Sequence, residues 1–181
     1  DRISPEAPVP VVRVRERRFA LGGAANVAQN VSAIGATSEL VATIGSDPAA
    51  TQLRAMLAAL GGADRGLVQV ARATTTKTRI VARAQQLVRV DEEVDDDCTD
   101  AEVDRIQAAV TKAVADSHAL ILEDYNKGVL VERVIEHAVA LATQKGLPVV
   151  VDPKYRNFFS HRGATVFKPN RRALEAALGA T

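Results

Sequence analysis

Three short apolar runs constrain this chain more than any other feature. Leu120-Ile121-Leu122 leads into Glu123-Asp124, Val149-Val150-Val151 into Asp152-Pro153-Lys154, and Thr165-Val166-Phe167 into Lys168-Pro169-Asn170. Between the first two lies a helical stripe, Val131, Val134, Ile135, Ala138 and Leu141, closed by Gly146. Apolar runs of this length that do not alternate read as strands buried on both faces, and a helix between two of them makes a right-handed parallel crossover. The fold class is therefore α/β. Ligands of such sheets bind beyond the carboxyl ends of the strands, where Asp124, Asp152, Lys154, Lys168 and Asn170 all fall. That placement argues for one shared site.

The preceding chain keeps the same alternation. Residues 40–44 and 67–70 read as further strands. Asp47 caps a helix that starts at Pro48, turns Leu53, Met56, Leu57 and Leu60 inward, and ends at Gly61-Gly62. Thr99 and Glu102 form a capping box ahead of the stripe Val103, Ile106, Val110 and Val114. In Arg18-Phe19-Ala20-Leu21-Gly22-Gly23-Ala24-Ala25-Asn26 two glycines let the backbone approach a ligand and turn into a helix, which buries Val27, Val31 and Ile34 and stops at Gly35. Asn26, Gln29 and Asn30 are then either ligand contacts or solvated amides.

From Thr76 to Asp91 the period becomes two, with Lys77, Arg79, Arg83, Gln85 and Arg89 on one face and Ile80, Ala82, Ala84, Val88 and Val90 on the other. A segment with one wet face is a lid or flange pairing with the alternating residues 9–15, not a central strand. Asp124 could accept ligand hydroxyls and Lys127 could hold a phosphate, or the two could form an ion pair capping their turn. Arg79, Arg83 and Arg89 could fork onto a phosphate, keep an exposed strand soluble, or line a subunit interface. Lys154 reads either as a phosphate contact or as a turn lysine, and Asn170 either as a phosphate contact or as the cap of the next helix.

A net charge of +1, with four phenylalanines, two tyrosines and no tryptophan, argues against nucleic acid or an anionic membrane as partner. Residues 19–38 lack formal charge but carry three glycines and several amides and hydroxyls, so a transmembrane helix is rejected. The single Cys98 fits a reducing cytoplasm. His118, His137 and His161 have no metal-ligand spacing, and the acidic run 91–97 reads as a solvated loop. No Walker loop, G-x-S-x-G elbow or G-x-G-x-x-G fingerprint is present.

The glycine stretch resembles the opening signature of the ribokinase-like (PfkB-type) sugar kinases, and especially their bacterial heptose 7-phosphate branch. Matching segments follow in the family's order: residues 3–10, 76–79, 83–91, Asp124-Tyr125-Asn126-Lys127-Gly128, Asp152-Pro153-Lys154 and Lys168-Pro169-Asn170. The resemblance implies a ribokinase-like three-layer sandwich with a mainly parallel central sheet and a small β-lid, from about 9–18 and 76–91. The whole chain, 1–181, would be one partial kinase domain, incomplete at both ends. It implies ATP- and Mg²⁺-dependent phosphorylation of D-glycero-β-D-manno-heptose 7-phosphate at C1, for ADP-heptose and lipopolysaccharide core synthesis, by a cytoplasmic homodimer joined through the lid. Gly22, Gly23, Asn26, Arg83, Gln85, Gln86, Asp124 and Lys127 would bind the sugar phosphate, and Lys154 and Asn170 the nucleotide.

Two departures stand out. The family's N-x-x-E pattern has Ala173 in place of Glu, with Glu175 two residues on. The Gly-Ala-Gly-Asp turn that supplies the anion hole and the catalytic aspartate is absent, so the base is expected C-terminal to Thr181 and the 181 residues alone are expected to be inactive. Alternatives are a kinase for another sugar or nucleoside, or a non-catalytic sugar-phosphate-binding or dimerisation module.

Overall fold

The computed structural model describes residues 2–8, 10–62, 64–82 and 85–179. In chain order the elements are β1 (Arg2–Ile3), β2 (Pro10–Val11), α1 (Gly23–Ala33), β3 (Ala42–Ile44), α2 (Pro48–Ala58), β4 (Leu67–Gln69), β5 (Thr76–Ala82), β6 (Gln85–Glu92), α3 (Asp100–Ala115), β7 (Leu120–Glu123), α4 (Glu132–Gln144), β8 (Val149–Asp152), β9 (Val166–Phe167) and α5 (Arg171–Leu178). Strands β7, β8 and β9 form a parallel sheet, and β3 pairs with β4 in parallel. The β3–α2–β4 and β7–α4–β8 units follow the β–helix–β order expected from the apolar runs, while β8 and β9 are joined without a helix.

The main core lies between the β7–β8 sheet and helices α3 and α4. Val103, Ile106, Val110 and Val114 meet Val134, Ile135 and Ala138 over Leu122, Val149 and Val151, and Val68 and Val70 beside β4 join the same cluster. Each large aliphatic side chain buried here contributes roughly 1.5–3 kcal/mol relative to exposure. A second cluster, Leu21, Ala25, Ala28, Ile44, Ala50, Leu57 and Leu67, seats α1 and α2 on the β3–β4 pair. The caps form as expected. The Asp47 carboxylate accepts the Ala50 N–H at 2.8 Å, and the Glu102 carboxylate accepts the Thr99 N–H at 2.9 Å.

Several expectations are corrected. Residues 76–92 pair with themselves as the antiparallel hairpin β5–β6, with a register shift between Ile80 and Val81, while β2 pairs with β1. The cross-strand matches Lys77–Asp91 and Ile80–Val88 give the segment a partner without recourse to residues 10–15. Helix α1 buries Ala25 and Ala28 and leaves Val27 and Val31 half-buried, while Ile34, the C-cap residue just past its end, is 83% exposed instead of buried. Among the described residues, strand β9 has a neighbour only on the β8 side, and Val166 and Phe167 are exposed. No helix among the described residues is long and apolar enough to cross a membrane.

Core and periphery should separate cleanly in a denaturation experiment. Ile135→Ala, at a position with no solvent exposure, is expected to cost about 2–5 kcal/mol. Ile34→Ala should stay within about 0.5 kcal/mol of the parent in urea unfolding.

Candidate active site

Asp124 follows the last residue of β7 and is 4% exposed. A carboxylate buried this far must find donors. Its Oδ1 accepts the Asn126 N–H at 2.7 Å and its Oδ2 the Lys154 N–H at 3.4 Å, while its own N–H donates to the Asp152 carbonyl at 3.1 Å. Asp124 thus locks the turn after β7 to the loop after β8. Asn126 adopts a left-handed φ of 53° inside that turn, a conformation asparagine tolerates better than most residues.

The glycine stretch comes to the same place. A Cβ on Gly23 would lie 3.6 Å from the Tyr125 ring, and Lys154 Nζ stands 5.5 Å from the centroid of that ring. Tyr125 therefore joins the glycine turn, the β7 end and the β8 end, a role its place beside Asp124 in the motif does not disclose. Gly22, Gly23, Asp124, Tyr125 and Lys127 all border one open cleft of about 3050 Å³. Most of that volume is lined by apolar sheet and helix residues, so only its strand-end rim has the chemistry of a polar-ligand site.

Beside this rim, Glu123 and Asp152 are register partners on β7 and β8. Burial, then the neighbouring Asp152, pushes the Glu123 pKa up, and Asp152 Oδ1 is buried without a partner. Lys154 lies 3.9 Å from Asp152 Oδ2. Two adjacent carboxylates with an unfilled acceptor suit a hard divalent cation, and the lysines suit the phosphates that travel with one. No group of three His, Cys, Asp or Glu side chains converges among the described residues. A cation here would keep most of its ligands from water and phosphate, as Mg²⁺ does.

Lys127 does not pair with Asp124. Its ammonium bonds Glu93 Oε1 at 2.9 Å and Asp95 Oδ1 at 2.5 Å, leaving one N–H for a ligand. The acidic run is a largely exposed loop, as expected, but one that is also docked by specific contacts. The Arg72 guanidinium donates to the Asp96 carbonyl at 2.8 Å, Arg156 to the Asp95 carbonyl at 2.8 Å, and the Cys98 N–H to the Gly128 carbonyl at 2.9 Å. Gly128, at φ 68°, has the Asp96 carbonyl where a Cβ would sit.

The remaining candidates have no described side-chain contact with this rim. Asn26, Gln85 and Gln86 are exposed. Arg83 falls outside the described residues. Asn170 caps α5 through the Ala173 N–H at 2.8 Å, and Glu175 is paired with Arg171 at 2.7 Å. His161 is buried against Phe167, with its pKa lowered by burial, and His137 shares a 2.8 Å hydrogen bond with Thr111.

A family model described as pfkB family carbohydrate kinase matches residues 1–181. The chain belongs to the pfkB carbohydrate kinase family. It is 47% identical over 180 residues to the bifunctional protein HldE of Azorhizobium caulinodans, covering 98% of this chain and 38% of that protein. It is 45% identical over 179 residues to the D-beta-D-heptose 7-phosphate kinase of Bordetella bronchiseptica, covering 99% of this chain and 56% of the relative. The chain therefore spans well under two thirds of either. Among solved structures, the tetrameric inhibited form of phosphofructokinase-2 from Escherichia coli superposes with a TM-score of 0.68 at 16% identity, over 96% of this chain and 57% of that one. The 2-dehydro-3-deoxygluconokinase of Thermotoga maritima gives 0.69 at 17% identity, over 87% and 53%. The last two fix the fold as that of these kinases.

The lysine–carboxylate pairing carries a pH signature. Lys77, then Lys127, holds the Glu93 pKa below its ordinary value, and Lys127 does the same for Asp95. Burial opposes the charge of Lys127, but Asp95 and Glu93 outweigh it and raise its pKa. Depressed carboxylates contribute stability that is present above their unfolded values and lost as pH falls through the folded ones. Lys127→Met should therefore unfold at lower urea than the parent at neutral pH, and the two midpoints should converge as pH drops below the ordinary carboxylate range.

Proposed function

We propose that the protein transfers the γ-phosphoryl group of ATP to the C1 hydroxyl of D-glycero-β-D-manno-heptose 7-phosphate, giving the 1,7-bisphosphate. The observation that carries this reading is the 45% identity, over nearly the whole chain, to a relative named for heptose 7-phosphate phosphorylation. The strand-end chemistry supports it. Asp124 and the Gly22–Gly23 turn are suited to orienting sugar hydroxyls. Arg83, Gln85 and Gln86 are the residues proposed for the 7-phosphate, and Lys127, tied to the opposite end of the hairpin through Glu93, is proposed as a further sugar-phosphate contact.

Bound ATP with Mg²⁺ supplies the phosphoryl group and the positive charge that offsets its oxygens during in-line transfer. The Glu123–Asp152 pair would hold the cation through water, and Lys154 would steady the phosphates. Asn170, whose Oδ1 caps α5, is proposed to contact the nucleotide through its remaining amide N–H groups. The base that removes the hydroxyl proton is not assigned to any residue of this chain. The setting proposed is the cytoplasm, in ADP-heptose synthesis, with two copies meeting through the β5–β6 hairpin that serves as the lid. The single free Cys98 fits that compartment.

In steady-state assays of the native-length protein, Arg83→Ala is expected to remove the preference for heptose 7-phosphate over unphosphorylated heptose by raising KM for the former about 10-fold or more. Retained preference would overturn the assignment of the 7-phosphate pocket. No turnover of the sugar phosphate by the parent protein would overturn the function.

A further inference from the structure

Among the described residues, the β5–β6 hairpin pairs only with itself and makes no extensive packing contact with another element. Its orientation is set by polar links at its base. Just before β5, Asp47 accepts the Thr74 N–H at 2.8 Å, and Thr74 Oγ1 accepts the Gly45 N–H at 2.9 Å. Across the same base, and on past the end of β6, runs a line of alternating charges. Arg89 meets Asp91 at 2.9 Å, Asp91 meets Lys77 at 2.9 Å, Lys77 meets Glu93 at 2.6 Å, and Glu93 meets Lys127 at 2.9 Å.

Within that line one carboxylate belongs to both sides. Glu93 Oε2 takes Lys77 of β5 while Oε1 takes Lys127 of the turn after β7. Among the described residues it is the only acidic side chain bridging a cation of the hairpin to a cation of the Asp124–Gly128 turn. Asp91 serves only the hairpin, and Asp95 bonds only Lys127 of the two lysines. The acidic loop is seated on the turn independently of Glu93, by the Cys98 N–H on the Gly128 carbonyl and by the Arg156 contact. Loss of the Glu93 charge should therefore free the hairpin without unseating the loop. The Glu93 side chain is 23% exposed, so solvent screens this bridge less than it screens a fully exposed pair.

We propose that Glu93 is a positioning residue: by joining Lys77 to Lys127 it fixes the hairpin over the strand-end turn and so sets how tightly the sugar phosphate is held. This inference rests on the kinase reading above. It concerns substrate capture rather than the chemical step, because Glu93 itself meets two lysines and no reacting atom. The nucleotide side, at Asp152 and Lys154, does not enter the bridge.

The test is steady-state kinetics of the native-length protein with Glu93→Gln, Lys77→Met and the double variant, each checked to be fully folded at the assay temperature by a cooperative unfolding transition above it. Glu93→Gln should raise KM for heptose 7-phosphate about 10-fold, with kcat and the KM for ATP within about two-fold of the parent. Lys77→Met, which changes only the hairpin end, should reproduce the effect. The double variant should be no worse than either single one, as expected of two halves of one link. A sugar KM that stays within about two-fold, a parallel rise of both KM values, or additive effects would each overturn the proposal. If the parent does not turn over the sugar phosphate, the kinase reading fails, and the link is then read by amide hydrogen exchange. Both single variants must speed exchange in residues 76–82 and 85–92 while leaving α3 and α4 unchanged, and unaltered hairpin exchange overturns it.

Discussion

A carboxylate taken out of water must be met by hydrogen bonds, and the Asp124 side chain meets that demand with the backbone of two different loops. The rest of the site follows from this constraint. Because the donors are the N–H groups of Asn126 and Lys154, the turn after β7 and the loop after β8 are held in one register. Tyr125 is then delivered to the glycine turn, and Lys154 to the face of its ring. The parallel pairing of β7 with β8 supplies the frame, placing Glu123 beside Asp152 at the level where both chains leave the sheet. Packing builds the platform, and one buried charge sets the loops upon it.

The acidic loop shows electrostatics working through the same geometry. Asp95, Asp96 and Asp97 remain exposed, as in a plain charge run, yet Asp91, Glu93 and Asp95 are distributed among Lys77, Lys127 and Arg89, while Arg72 and Arg156 take the loop's carbonyls. Surface pairs of this kind contribute little singly, and the arrangement matters because one loop answers cations from several elements. It joins a hairpin with little packing of its own to a turn that is rigidly held. Order in the hairpin is thus borrowed from the core through polar contacts.

Much of this was legible in the sequence, and the boundary of legibility has physical causes. Apolar runs between helical stripes revealed β7, β8, α3 and α4, because burial on both faces leaves a compositional trace that does not depend on partners. The caps at Asp47 and Thr99 were equally plain, being local interactions a few residues long. The strand-end rule brought Asp124, Asp152 and Lys154 together before any distance was known. Pairing was less legible. The period-two pattern over 76–91 gave an alternating face but not its partner, since alternation is the same in a hairpin and in a longer-range ladder. The partner of Lys127 was missed for a related reason. A lysine three residues from Asp124 invites a local pair, whereas its partners Glu93 and Asp95 lie more than thirty residues upstream. Tyr125 went unremarked because its role depends on Gly23 lying close by, and only the tertiary structure sets that distance.

Gly128 sits where the acidic loop crosses the β7 turn, at a left-handed φ of 68° and with a carbonyl filling the space a side chain would need. Every single-base change of a glycine codon that alters the residue either installs a Cβ or stops the chain. One-step mutation therefore has no mild route at this crossing. A lineage that reshapes the turn must first move the loop away from it, so the two segments are bound to diverge as one inherited unit, however freely the exposed strands around them drift.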